Sequence, residues 1–342
     1  MSNKLIKIGI TQGDTNGVSY ELIIKTFAAE EIFELCIPVL YGSSKVLAYH
    51  RKEMALPSLN INVISHADQA KTDYLNLVNC GCEEVTVDFG KATPESESAA
   101  VQSMQMAFDD LKAGMIDALV FAPSNVDERQ FLSQQSGKMP MKTVIHNNLR
   151  IAFADQLTTD SLVCKIKDLH TSLIHDFAVT FPRIAVLSFN RGKGIKEREE
   201  GREEADIIIP AIKAACEKGI ICVGPYAINN FFSDRDYMKF SAVLAITHHG
   251  QVLMPFRSIS SGEGACYYAG IPFVATAPDY DAAHGNAGKN ESSEAAFRNA
   301  FYLALDVFRT RKIDKEIHAN PLKKHYFENG LDNEKLDLTK EY

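Results

Sequence analysis

The chain has 342 residues, 46% hydrophobic and 23% charged, with 20 glycines and 12 prolines, the makeup of a folded globular protein and not of a disordered or fibrous one. Lys and Arg number 36 against 44 Asp and Glu, and the formal net charge of −8 repels a phosphate backbone, so nucleic acid is not expected as a partner. No apolar run reaches the roughly 18 residues that cross a bilayer, and Met1–Lys7 leads straight into a strand-like segment, so no membrane association and a cytoplasmic location are expected.

Short apolar runs alternate with longer mixed segments along most of the chain. Leu5–Ile10, Ile37–Tyr41, Ile61–Ser65, Ala118–Ala122, Arg150–Ala154, Arg183–Ser188, Ala242–Thr247 and Pro272–Thr276 read as strands. Ser98–Ala113, with Val101, Met104, Ala107, Phe108 and Leu111 at three- and four-residue steps, reads as a covering helix, as do Glu204–Cys216 and Ser293–Thr310. Buried parallel strands joined by helical crossovers give an α/β fold, and the length exceeds what one hydrophobic core usually supports, so two lobes are expected. Lys196–Glu204 is almost wholly charged and reads as a solvated loop entering a helix. The 7 cysteines are scattered and odd in number, which fits reduced thiols. Cys80-Gly-Cys82 is a close pair without a second pair beside it, and a metal site there is not expected.

Three polar stretches could carry chemistry. Gly9–Gly17 (GITQGDTNG) is a strand running into a Gly-rich turn before a helix from about Ser19, which is either an anion-facing turn or simply a tight one. Thr247-His248-His249-Gly250 follows an apolar strand, and at a strand's carboxyl end adjacent imidazoles would point to opposite sides. Thr276–Asn290 (TAPDYDAAHGNAGKN) is a long polar loop, functional or a structural surface loop.

Together these stretches resemble the 4-hydroxythreonine-4-phosphate dehydrogenase family, PdxA, over nearly the whole chain. The family's G-[IL]-T-x-G-D-x-x-G-[IV] stands as GITQGDTNGV, its A-P-[IL]-N-K as Ala122–Val126, and its strand before N-P-H-A-G as Arg183–Gly194. Its G-P-x-x-A-D stands as Gly224–Asn229, its Y-H-D-Q-G as Thr247–Gln251, and its A-G-K-N as Ala287–Asn290.

The resemblance implies a two-lobed α/β/α fold like isocitrate and isopropylmalate dehydrogenases. The first lobe would be residues 1–120 plus 265–342 and the second residues 121–264, with the dimer contacts in the second. It implies a homodimer, a small phosphorylated metabolite as ligand, NAD as cofactor, and a divalent metal held by three histidines that polarises the reacting oxygen. Carried over residue by residue, NAD contacts fall to Asp14, Asn16, Gly17, Gly288 and Asn290, and substrate contacts to Asn125 and Arg257. Of the metal histidines only His248 has a match, with His249 as alternative; the others fall on or near Leu157 and on Gly192, which cannot ligate a metal. The family's H-T-E after Asn125 is absent, its substrate-side Asn and Arg fall on Cys266 and Ala275, and its H-G-T aligns with Tyr280-Asp281-Ala282, or with His284-Gly285-Asn286 if gapped. Arg150 and Arg183, at strand starts, read as structural.

This pattern leaves three functions open: an NAD-dependent dehydrogenase of pyridoxal phosphate biosynthesis with an unusual site, a non-catalytic metabolite-binding or regulatory paralogue, or a metal-independent enzyme on a related phosphorylated substrate.

Overall fold

Strands form where apolar side chains are continuous enough to be buried on both faces, and that pattern orders the molecule. The computed structural model describes residues 5–81, 86–154, 158–188, 204–246 and 249–319. In chain order, β1 (Ile6–Thr11), α1 (Ser19–Phe27), α2 (Ile32–Leu35), β2 (Cys36–Gly42), α3 (Ser44–Glu53), β3 (Ile61–Ile64), β4 (Leu75–Asn79), α4 (Pro94–Lys112) and β5 (Ala118–Val120) come first. Then follow α5 (Glu128–Ser136), β6 (Met141–His146), β7 (Leu149–Phe153), α6 (Thr159–His175), β8 (Arg183–Ser188), α7 (Ile209–Glu217) and β9 (Ile221–Ala227). The last are α8 (Ile228–Ser233), β10 (Ala242–Ala245), α9 (His249–Ser260), β11 (Ala265–Ala269), β12 (Ala275–Pro278) and α10 (Ala295–His318).

The strands form one 12-stranded sheet in the order β3-β4-β2-β1-β5-β12-β11-β6-β7-β10-β8-β9. Pairing is parallel except at the centre, where β11 runs antiparallel to both β12 and β6, and β6 runs antiparallel to β7. Ile8, Ile10, Val120, Val186 and Leu244 face one apolar layer, whereas Tyr41, Leu119, Phe121, Ile151, Leu187 and Val243 face the other. That alternation is what a sheet covered by helices on both sides requires. The α/β class expected from the sequence is therefore the class observed.

Local signals set the helix ends. Thr93 caps α4 in a reciprocal pair with Ser96, with Pro94 at the first turn, and Asp127 caps α5 by accepting from the amides of Arg129 and Gln130. Gly137 ends α5 at φ 71°, a left-handed cap that suits glycine. Thr158 caps α6.

Two sequence expectations need correction. The strand expected at Pro272–Thr276 begins at Ala275, because the carbonyls of Ile271 and Pro272 are taken by the Arg311 guanidinium at 3.3 and 3.2 Å and not by a ladder. The strand expected to run to Thr247 ends at Ala245, and His249 opens α9, so it does not stand on a strand end. Thr247, His248, Leu157, Gly192, Cys82 and all of Lys196–Glu203 lie outside the described residues.

Arg150 lies over the Phe177 ring at 4.8 Å and Arg183 over Phe240 at 5.6 Å, which gives both an aromatic packing partner. No helix among the described residues is long and apolar enough to cross a membrane.

Candidate functional site

The loop after β1 is built from its own residues. Gly13 turns the chain at φ 65°, and a Cβ there would come within 2.4 Å of the Pro123 carbonyl, so only glycine fits. The Asp14 amide donates to that same carbonyl at 2.9 Å, which ties the end of β1 to the end of β5. Asp14 Oδ1 accepts the Asn16 amide at 2.8 Å, and Oδ2 lies 3.0 Å from His284 Nε2. Asn16 is fully buried: its Nδ2 donates to the Lys91 carbonyl at 3.0 Å, and its Oδ1 accepts the Asp88 amide at 2.9 Å. A Cβ on Gly17 would meet the Ala282 carbonyl at 2.5 Å, and the next amide, Val18, donates to that carbonyl at 3.1 Å.

Beside this loop His50 is sealed among Tyr20, Tyr49 and Phe89, and its Nε2 donates to the Thr15 carbonyl at 2.8 Å. Burial holds its imidazole down to about 4, only partly offset by that hydrogen bond. The polar loop expected after β12 packs here as well. Gly288 sits at φ 77°, where an added Cβ would meet the Phe89 ring at 3.1 Å, and Asn290, at φ 58°, donates from Nδ2 to the Met54 carbonyl at 3.2 Å while its own carbonyl accepts from Lys25 Nζ at 3.3 Å.

A second group of polar residues gathers where α5, β6, β11 and α9 meet. Arg257 grips Asp279 through Nε and Nη2 at 2.9 and 3.1 Å, a bidentate pair that holds the guanidinium above its usual range. The Tyr268 hydroxyl donates to Glu128 Oε2 at 3.3 Å. Burial pushes the Glu128 carboxyl up to about 7, against the lowering pull of its own backbone amide, Lys142 and Tyr268. The ammonium of Lys142 is held above the ordinary lysine range by the Cys266 sulfur first, then by Glu128 and Asp279, against the cost of its burial. Because burial pushes the Cys266 thiol up to about 12, that thiol is neutral near pH 7, and the two carboxylates supply the pull that operates there.

The structure thus brings Asp14, Asn16 and Gly17 together with the loop that carries Gly288 and Asn290, and it places Arg257 near Cys266. Asn125 is exposed in the loop after β5 and makes no hydrogen bond to a described residue. Lys142 and Glu128 were not singled out by sequence reasoning, and Asp279 was in view only as part of the polar stretch Thr276–Asn290. A further local sign was Lys142, a charge in the strand MKTVIH.

Neither implied cofactor finds a ready set of side chains. Asp14 and Asn16 are buried and spend their polar atoms inside the protein, and Gly17 is closed off by Ala282, so these residues fit a structural joint better than a dinucleotide contact. For the metal, Leu157 and Gly192 offer no donor atom. No group of three or more His, Cys, Asp or Glu among the described residues could hold an ion. Among the described residues, none assembles the three-histidine site that the resemblance implies.

Comparison with known proteins gives one consistent answer. The family described as "Pyridoxal phosphate biosynthetic protein PdxA" matches residues 34–304. A 4-hydroxythreonine-4-phosphate dehydrogenase from Bacteroides thetaiotaomicron is 39% identical over 361 residues, covering 99% of this chain and 98% of the relative. One of the same name from a Sulfurihydrogenibium species is 26% identical, covering 90% of this chain and all of the relative. The crystal structure of 4-hydroxythreonine-4-phosphate dehydrogenase from Klebsiella pneumoniae superposes with a TM-score of 0.74 at 20% identity, covering 90% of this chain and 99% of that one, a likeness of fold.

Proposed function

The chain belongs to the PdxA family, and from that premise we propose that it binds a small phosphorylated metabolite but does not catalyse metal-assisted dehydrogenation of it. The observation that carries this reading is the donor set: two of the implied metal-binding histidines fall on or near Leu157 and on Gly192, leaving His248, or His249 as its alternative. If losing one outer partner costs about 10–100-fold in metal affinity, losing two direct ligands costs at least ~10²–10⁴-fold. No step through a metal follows for this chain. NAD, when bound, would supply hydride chemistry, and with Asp14, Asn16 and Gly17 committed elsewhere its contacts would fall to the exposed Gly288 and Asn290. On the substrate side Asn125 and Arg257 are the proposed contacts. The metabolite would lie between the proposed lobes, 1–120 plus 265–342 and 121–264, of a cytoplasmic homodimer.

A second reading, a metal-independent reaction on a related phosphorylated substrate, is favoured by Glu128. Its carboxyl is poised at about 7, where a general acid–base group works best.

The test of the first reading is equilibrium dialysis against Zn²⁺ and Mn²⁺ beside an active family member. This protein is expected to bind at least ~10²-fold more weakly, and His248→Ala to change its affinity less than about tenfold. Tight metal binding that collapses in His248→Ala would overturn it.

A further inference from the structure

We propose that Lys142 on β6 is the residue that holds the anionic end of the ligand, working beside Arg257; this rests on the reading that the site takes a phosphorylated metabolite. The antiparallel register of β6 on β11 sets Lys142 directly opposite Tyr268, and Val144 opposite Cys266. All four side chains therefore rise from one face of the sheet, opposed pairs about 5 Å apart at Cβ. Phe121, Phe131, Val144 and Tyr268 belong to the apolar layer on that face, with Glu128 and Asp279 close to the ammonium.

A half-buried ammonium on such a face is costly unless something pairs with it. Lys25, Lys91, Lys138 and Lys239 each reach a carboxylate at 2.9 Å or less. The half-buried Lys142 ammonium makes no hydrogen bond and no ion pair within 4.0 Å among the described residues, although Glu128 and Asp279 are near enough to act on it through space. The nearby anions are already engaged: Asp279 is gripped by both Nε and Nη2 of Arg257, and Glu128 accepts the Tyr268 hydroxyl. Arg257 keeps more than half of its side chain exposed, 55%, so part of its donor edge still faces outward. An ammonium whose three donors make no hydrogen bond to a described residue, set beside a half-exposed guanidinium, is the arrangement that receives a phosphate. Protonation of Glu128, whose carboxyl sits at about 7, would remove the negative charge that most directly competes with an incoming anion.

The test is calorimetric titration of the full chain with inorganic phosphate. Saturable binding is expected in the wild type, weakened about 10–100-fold in Lys142→Met, the loss that goes with one charge-assisted hydrogen bond. Lys142→Arg should keep most of the affinity. Lys138→Met, which removes the same charge from the surface pair with Asp168, should leave affinity unchanged and so controls for net charge. Should Lys142→Met fail to fold, Lys142→Gln serves, with the same loss expected. No phosphate binding by the wild type, or binding by Lys142→Met or Lys142→Gln within about twofold of it, would overturn the proposal, since one lost charge-assisted contact is far larger than that. NADH production by the wild type would sink the non-dehydrogenase reading while leaving this one standing, so the two failures are separable.

Discussion

His284 Nε2 lies 3.0 Å from Asp14 Oδ2, joining two loops that stand 270 residues apart in the chain. The same carboxylate caps the Asn16 amide, so one side chain fixes both the turn after β1 and the segment that follows β12.

Asp14→Ala is expected to cost about 1–3 kcal/mol, because it strands a buried amide as well as breaking the pair. His284→Ala should cost less, and the double variant should fall short of the sum by about 0.5–3 kcal/mol, as residues in one hydrogen-bonded network do. Urea unfolding of the four proteins checks this; strict additivity would mean that the contact carries no energy.

Gly17→Ala places a methyl about where the Ala282 carbonyl already stands, 2.5 Å away. Backbone on both sides gives little room, so a loss of about 1–3 kcal/mol is expected from overpacking. Gly285→Ala, whose added Cβ would meet nothing within 4 Å, is the control and should be close to neutral. A thermal melt in which both variants match the wild type would show that the two loops are not packed as described.

His50 gives the fold an acid limit. Its imidazole titrates at about 4 when folded and near 6.5 when unfolded, so below 6.5 the unfolded chain binds the extra proton and stability falls as pH drops. Up to about 3 kcal/mol should be lost between pH 6.5 and 4. Urea midpoints of His50→Gln should be flatter across that window than those of the wild type; equal slopes would assign the acid limit to other groups.

Glu128 acts with the opposite sign. Its carboxyl titrates at about 7 when folded and near 4.5 when unfolded, so the folded protein holds the extra proton and stability falls as pH rises between them. Glu128→Gln, which can still accept from Tyr268, should be more stable than the wild type above pH 7 by about 1–3 kcal/mol and lose that advantage toward pH 4.5. Unfolding measured at pH 5 and pH 8 decides it, and a variant destabilised at both would contradict the assignment.

Most strands were legible because a buried parallel strand is a continuous apolar run, as in Ile37–Tyr41 and Arg183–Ser188. The errors came where distant groups decide. Arg311, far along the chain, claims the carbonyls of Ile271 and Pro272 and delays β12. The Gly-rich stretch was visible as a turn, but that Asn16 is spent on Lys91 and Asp88 could not be read locally. Lys142 was passed over because its neighbours are fixed by register across β11, and Asp279 because its pairing with Arg257 depends on how α9 meets β12. His284 was in view only as one of two alignments, and the structure sets it beside Asp14.

The most direct test of the account is NADH formation by the purified protein with 4-phosphohydroxy-L-threonine, NAD and added divalent metal, beside an active family member. We expect no turnover while the control works, because under the proposed alignment two of the three implied metal ligands fall on or near a leucine and on a glycine. Steady NADH production at a rate comparable with the control would contradict the account and mean that other residues have rebuilt the site.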